Sequence, residues 1–310
     1  MMKTSSVNPL VSVLIIAYNH EKYINQAIES VFSQTYPKVE LIVVDNDSQD
    51  KSARIIKSLQ KEYLFRFVQQ ENTGAPRTMN RFIPQLHGKY YMSFSGDDYL
   101  PPDRIQLQVE FMEQNPQYAM CYGRSIFVDE ESREIYRNDN RLFKGGWIFK
   151  DLIHFKFHPP APTYFFRRDI FEKIGMYPED LMYIEDLYMN LKVARHFQVG
   201  FIDAYLAFQR KHSQNLTFNA DRNTQIKEGL LILRDYRDLP DYSRIKREYY
   251  LHCFAFLALH NPRRAMRYML YSMPLFYKKK YIKSSLRMIS GLFKYLARNA
   301  SPLQKEKINQ

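Results

Sequence analysis

The chain has 310 residues, enough for one large or two modest domains with a real core, and its two cysteines, Cys121 and Cys253, stand too far apart for a disulfide-stapled fold or a cysteine metal site. Its formal charge is +12, yet from Arg263 onward twelve Lys and Arg face one acid, Glu306, an excess of 11 that leaves +1 for everything before it. The two thiols are expected in a reducing cytoplasm; the first apolar run, Leu10 to Ala17, is too short for a signal peptide or a membrane span, and no run of 18 uninterrupted apolar residues follows, so the chain is not expected to be transmembrane.

Val11 to Ile16 is a largely β-branched run of strand length, the pattern of a strand buried on both faces. Ile24, Ala27, Ile28, Val31 and Phe32 then recur at helical spacing, and Pro37 ends that helix. Val39 to Val44 predicts a second buried strand, followed by the polar cluster Asp45-Asn46-Asp47-Ser48 and a helix with Ile55, Ile56 and Leu59 on one face. Phe65 to Val68 predicts a third strand, Thr78 to Leu86 a short helix interrupted by Pro84, and Tyr90 to Phe94 a fourth strand that ends on Ser95-Gly96-Asp97-Asp98. Two adjacent carboxylates repel each other, and a chain that places them at a strand end usually supplies a cation to both. For an isolated pair the blander reading is an exposed turn, since Gly-Asp-Asp is good turn chemistry.

Repeated βαβ units imply a mainly parallel sheet with helices on both sides, whose ligands gather at the carboxyl ends of the strands. Tyr18-Asn19, Asp45-Asn46-Asp47 and Asp97-Asp98 all fall at such ends and therefore predict one site. Neither glycine-rich phosphate fingerprint is present, so a divalent metal on carboxylates is the expected way to neutralise a diphosphate. From about Tyr122 to His212 the pattern is mixed, with Pro159-Pro160-Ala161-Pro162 forcing an irregular segment. Trp147 lies in this region after Gly145-Gly146; core packing is the commoner use of a single tryptophan, and stacking on a sugar the alternative. Beyond about Asp221 the chain reads as helical, then basic and aromatic.

Five segments in order, residues 11–37, 39–50, Glu71-Asn72-Thr73-Gly74 with Asn80, 88–105 and 183–194, resemble the inverting nucleotide-sugar glycosyltransferases of family two, which have the GT-A fold. The resemblance covers roughly residues 10 to 215. It implies a catalytic domain over 1–220, with a nucleotide-sugar half to about 125 and an acceptor half over about 126–220, followed by a helical basic region over 221–310. It further implies that Ala17, Tyr18, Asn19 and Glu21 contact the base and ribose, with Asp45 and Asn46 beside them. Asn46 stands where the family commonly has an aspartate that receives the uracil N–H; an amide oxygen accepts the same bond, while its amino group suits a different base. Asn80 matches the asparagine of the family's Ala-Arg-Asn segment, with Met79 where the arginine would be and Arg77 or Arg81 as substitutes. Ser95 replaces the first acid of the metal motif, leaving Asp97 as the principal ligand of Mn²⁺ or Mg²⁺ and Asp98 as its neighbour. Asp186, in Glu185-Asp186, matches the general base; taken alone this acidic pair reads as helix N-terminal charge. Arg210 matches an arginine on the diphosphate, and His212 a histidine that completes the metal shell.

In the tail, Ile282, Leu286, Ile289, Phe293 and Leu296 share one helical face and Lys283, Arg287, Ser290 and Lys294 another. A basic amphipathic helix of this kind predicts peripheral contact with an anionic membrane through 263–310, the alternative being a helix packed on the catalytic domain. No nucleic-acid motif accompanies the charge, so no nucleic-acid partner is expected. The sequence thus predicts a metal-dependent inverting transferase that moves a sugar from a nucleotide donor, by preference a UDP-sugar, to a glycan or lipid-linked acceptor in surface polysaccharide synthesis at the inner face of a bacterial membrane. A catalytically silent relative that binds nucleotide sugar or glycan is the alternative.

Overall fold

The computed structural model describes residues 8–257 and 262–272. β1 (Val11–Ala17) is apolar almost throughout and buried along its length, and β2 (Val39–Asn46) is buried from Leu41 on. α1 (Ile24–Phe32) follows β1 and buries Ile24, Ala27, Ile28 and Val31 as the spacing predicts, but Phe32, expected on the same face, ends the helix 38% exposed and stacks on Tyr63 instead. α2 (Ser52–Leu59) follows β2 and buries Ile56 and Leu59; β3 (Arg66–Gln70) comes next. α3 (Ala75–Phe82) starts three residues before the expected helix because Gly74, at φ +85°, turns the chain into it and Pro76 sits in the first turn, where a missing N–H costs no bond. Pro84 falls in a 3₁₀ turn, Ile83–Gln85, just past the helix end. β4 (Tyr90–Ser95) closes the first half of the sheet.

α4 (Arg104–Gln114), β5 (Tyr118–Val128), β6 (Glu134–Arg137), α5 (Phe149–Ile153), β7 (Phe165–Arg167), α6 (Ile170–Ile174), α7 (Glu185–His196), β8 (Gln198–Arg210) and α8 (Leu216–Asn219) follow. The strand order is β3-β2-β1-β4-β7-β5-β6, with β8 against β5. β3, β2, β1 and β4 run parallel, β7 is antiparallel to both β4 and β5, and β8 runs parallel to β5 through three register shifts. This is the α/β architecture that the alternating pattern implies. Val11, Val13, Ile15, Val43, Tyr90, Met92 and Phe165 make a continuous core with Ile24, Ile28 and Ile105. Each such side chain taken fully from water contributes on the order of 1.5–3 kcal/mol.

The described residues up to 152, with 156–220, form one compact unit, and 153–155 with the described residues from 221 onward form a second. In the second unit α9 (Arg222–Arg234) is capped by Asp221, whose carboxylate accepts the N–H groups of Asn223 and Thr224. α10 (Tyr242–Leu257) and α11 (Pro262–Ser272) complete it. His154 is held between Glu248, 2.5 Å from Nδ1, and Asp241, 3.0 Å from Nε2. Among the described residues no helix is long and apolar enough to cross a membrane. The amphipathic stretch from Ile282 to Leu296 lies outside the described residues.

Candidate active site

Register places the polar strand ends in one row. Ala17 pairs with Asp45, Ile16 with Ser95 and Asn46 with Gln70, so the ends of β3, β2, β1 and β4 line the same edge of the sheet. The loops after β1 and β2 are laced together. Asn19, at φ +57°, donates its N–H to Ser48 Oγ and accepts the Gln49 N–H; the His20 N–H goes to Ser52 Oγ. Glu21 accepts the Lys51 N–H and donates its own to Asp50. Asn19 and Glu21 therefore shape the loop, while Tyr18 stands 45% exposed beside buried Ala17.

Asp45 and Asn46 are both buried. Asp45 Oδ2 accepts the Ser48 N–H at 3.2 Å, but its Oδ1 is buried with no hydrogen-bond partner in the protein. Such an orphaned acceptor costs about 1–3 kcal/mol unless a ligand donor meets it. Asn46 is fixed by a relay. Arg81, which can only donate, bonds Gln70 Oε1 at 2.7 Å, so Gln70 Nε2 must donate, and it does so to Asn46 Oδ1 at 2.9 Å. Asn46 Nδ2 then faces Thr78 Oγ1 at 3.1 Å. Met79 is buried, with Ser93 Oγ 3.7 Å from its sulfur, whereas Arg77 and Arg81 line a cavity of about 380 Å³ with Gln70, Glu71, Thr73 and Glu179. The Asn80 side chain brackets Tyr177, donating to its carbonyl at 2.8 Å and accepting its N–H at 3.0 Å, and reaches Glu179.

At the β4 end the chain turns through Gly96. A Cβ there would come within 2.8 Å of Ile24 Cδ1 and 3.0 Å of His20 Nδ1, so a larger residue would have to displace these side chains. Asp97 is buried, and its Oδ2 lies 3.0 Å from His212 Nε2, 2.9 Å from Asn215 Nδ2 and 3.8 Å from His20 Nε2. Burial works to raise the Asp97 carboxyl, but the imidazoles of His20 and His212 and a hydrogen bond from Ser95 outweigh it and hold the group well below the ordinary carboxylate range. Burial likewise pushes His20 below 6.5, against the pull of Asp97. Asp98 behaves oppositely. Its Oδ1 accepts the Arg210 N–H at 2.9 Å, and burial followed by the charge of Asp97 pushes its carboxyl well up.

Arg210 is expected on the diphosphate, but protein acceptors engage its whole guanidinium. Nε donates to the Asp97 carbonyl, Nη1 to the carbonyls of Asp129 and Glu130, and Nη2 to Gln26 Oε1 and Ser132 Oγ. The group lies 4.7 Å over the Tyr23 ring, and the residue is 4% exposed. All five N–H donors are used, so in this structure the residue ties the end of β8 to the Asp97 loop. Among the described residues no three His, Cys, Asp or Glu side chains group so as to hold a metal by themselves.

Asp186 is the second residue of α7, where its charge suits the positive helix end. It contacts none of the Asp97 group; its Oδ2 lies 2.9 Å from His158 Nε2 and its Oδ1 accepts the Leu187 N–H at 2.7 Å. Burial would raise its carboxyl, but the charge and hydrogen bond of His158 and the Leu187 N–H bring it below the ordinary value. His20, Asn215 and His158 escape the sequence reading because each acts across a large gap in the chain. Asn215 alone carries a local signal, standing three residues after His212. Trp147 is 64% exposed, against the expectation of core packing.

A family model for glycosyl transferase family 2 matches residues 12–175. An uncharacterized glycosyltransferase of Rickettsia typhi is 29% identical over 234 residues, 74% of this chain and 72% of that protein. The structure of S. aureus TarS 1-349 in complex with UDP-GlcNAc superposes with a TM-score of 0.66 at 17% identity, over 96% of this chain and 86% of that one. The mannosyltransferase PcManGT from Pyrobaculum calidifontis, in complex with GDP-Man and Mn²⁺, does so with a TM-score of 0.59 at 15% identity, over 95% and 88%. The last two likenesses establish the GT-A fold, and the matched family model places the chain among the glycosyltransferases of family 2.

Proposed function

We propose that this glycosyltransferase moves a hexosyl group, with inversion, from a nucleotide sugar to a hydroxyl of a glycan or lipid-linked saccharide, using a divalent metal. One observation carries the reading: an ionised, buried carboxylate, Asp97, with an imidazole at 3.0 Å, on the same strand-end row as the unpartnered Oδ1 of Asp45. Asp45 meets a donor N–H or hydroxyl of the nucleoside, with the base toward the cavity at Gln70 and Arg81. The oxygen and nitrogen pair of Asp97 and His212 fits Mn²⁺, or less well Mg²⁺, provided the donor's diphosphate oxygens complete the shell. When bound, the metal neutralises charge developing on the leaving diphosphate. Asp186 takes the acceptor's hydroxyl proton as the oxygen attacks the anomeric carbon in line with that leaving group.

The donor is proposed to be a UDP-sugar, in keeping with the UDP-GlcNAc held by S. aureus TarS. A donor with another base is favoured by a single feature: Asn46 Oδ1 already accepts from Gln70, and its amide has an N–H to offer an acceptor on the base. A thermal-shift panel of UDP-, GDP- and CDP-sugars with and without Mn²⁺ tests both. A uridine donor near 100 times its Kd should stabilise by about 2.7 kcal/mol, and only with Mn²⁺ present. A shift confined to another base transfers the assignment to that donor; no shift with any sinks the reading, and a shift without turnover points to a silent binding protein.

The basic region 263–310 is proposed to bring the enzyme to an anionic membrane on the inner face of the cell, where a lipid-linked acceptor resides, each cation adding roughly 1 kcal/mol near the surface. The full chain should then float with vesicles containing phosphatidylglycerol at low salt and not with phosphatidylcholine alone. Equal behaviour on both removes the membrane reading.

A further inference from the structure

His158 stands at the head of Pro159-Pro160-Ala161-Pro162, where fixed proline φ angles and missing N–H groups leave the backbone few alternatives. The turn is closed by Thr163, whose N–H and hydroxyl both donate to the Pro160 carbonyl, at 3.0 and 2.7 Å. Two struts join this segment to α7. In the first, Asn190 Nδ2 donates to the Tyr164 hydroxyl, which donates to the Pro159 carbonyl at 2.8 Å. In the second, His158 Nε2 meets Asp186 Oδ2. Asp186 and Asn190 are one helical turn apart and share a face, so the struts run side by side.

The struts differ in environment. Tyr164 and Asn190 are buried, 5% and 2% exposed, whereas the side chains of His158 and Asp186 are 47% and 26% exposed. The buried strut already fixes the segment to the helix, so the open one is free to serve chemistry. With the Leu187 N–H on Oδ1 and His158 on Oδ2, both carboxylate oxygens are oriented while each keeps a lone pair for an incoming hydroxyl.

We propose that His158 is the positioning residue of Asp186: it holds the carboxylate in its attacking orientation and, through its own charge, sets how strong a base that carboxylate is. The inference rests on Asp186 being the base. Protonated His158 draws electron density from Asp186 and weakens it; neutral His158 still donates Nε2–H and leaves a stronger base. The titratable groups that sense Asp186 are His158 and the phenols of Tyr164 and Tyr177, and Glu185 precedes it on the same helix and is sensed by both phenols. Burial pushes both phenols well above 10, so His158 is the one whose ordinary range lies between pH 5 and 8. Although burial works to lower it, the charge and hydrogen bond of Asp186 carry His158 above 6.5.

Two measurements on the full chain test this. The first follows the His158 ring by NMR: its midpoint should lie above 6.5 in the wild type and fall in Asp186→Asn, and an unmoved midpoint overturns the coupling. The second follows hydrolysis and transfer with the nucleotide sugar chosen by the thermal panel. His158→Ala should lower kcat by about 10²-fold with the donor KM within about twofold. His158→Gln, which keeps an N–H donor, should recover most of that loss yet flatten the pH profile between 5 and 8. A wild-type profile in His158→Gln, or an equal loss in KM and melting temperature, makes the histidine merely structural. Full activity of Asp186→Asn instead sinks the base assignment, and leaves the NMR result to decide whether the pair is coupled.

Discussion

Asp97→Asn should abolish Mn²⁺ binding in calorimetry and lower kcat/KM by at least ~10³-fold, since several kcal/mol of charge stabilisation is at stake. The amide preserves the shape and can still bond His212, so circular dichroism and melting should show a folded protein. Retained Mn²⁺ affinity would mean that the metal, if used, binds elsewhere. Asp98→Asn should behave in the opposite way. An asparagine Oδ1 accepts the Arg210 N–H equally well but brings no charge into a site that disfavours one. The folded pKa of Asp98 is raised, so as pH climbs past 3.8 the unfolded chain loses this proton first and wild-type stability falls until the folded pKa is reached. The variant escapes that loss. Its advantage should be absent in acid and grow with pH across that window, at about 2–4 °C in melting temperature per kcal/mol.

The second large effect is at Asp186. Asp186→Asn removes the proposed proton acceptor and leaves the strand-end row untouched, so transfer should fall by about 10²–10⁴-fold while the donor-induced thermal shift persists. Loss of that shift would instead place Asp186 in donor binding. Because His158 and the Leu187 N–H hold the Asp186 carboxyl below its ordinary value, wild-type activity should be lost as pH falls, with protonated His158 weakening the base before the carboxylate itself is neutralised.

The strands of the parallel half were readable because a strand covered on both faces is apolar almost throughout; the structure extends β1 by one residue and β2 by two past the expected Ile16 and Val44, onto the very residues that line the site. The region from Tyr122 to His212 was not readable in this way. β5 and β8 pair in parallel across about 80 residues with three register shifts, so neither a turn nor a clean alternation advertises them. The site divides in the same manner. Asp45, Asp97 and Asp186 sit at element ends and could be located from pattern and resemblance. His212 beside Asp97 was legible in the same way, but the other partners that set their chemistry, His20 and Asn215 for Asp97 and His158 for Asp186, are decided by tertiary contact, as is the engagement of Arg210 by the scaffold. An arginine's number of free donors is not a property of its sequence neighbours.

Arg210 bears on how this corner moves. Its five N–H bonds gather the Asp97 turn, the Asp129–Ser132 loop, Gln26 of α1 and the end of β8 on one guanidinium. At roughly 1 kcal/mol net apiece, their combined loss is comparable to the stability of a whole small domain. The Asp97 end of the site is therefore held against local fraying by all four segments at once. Motion needed to admit a donor or release a product must come from segments that this arginine does not hold.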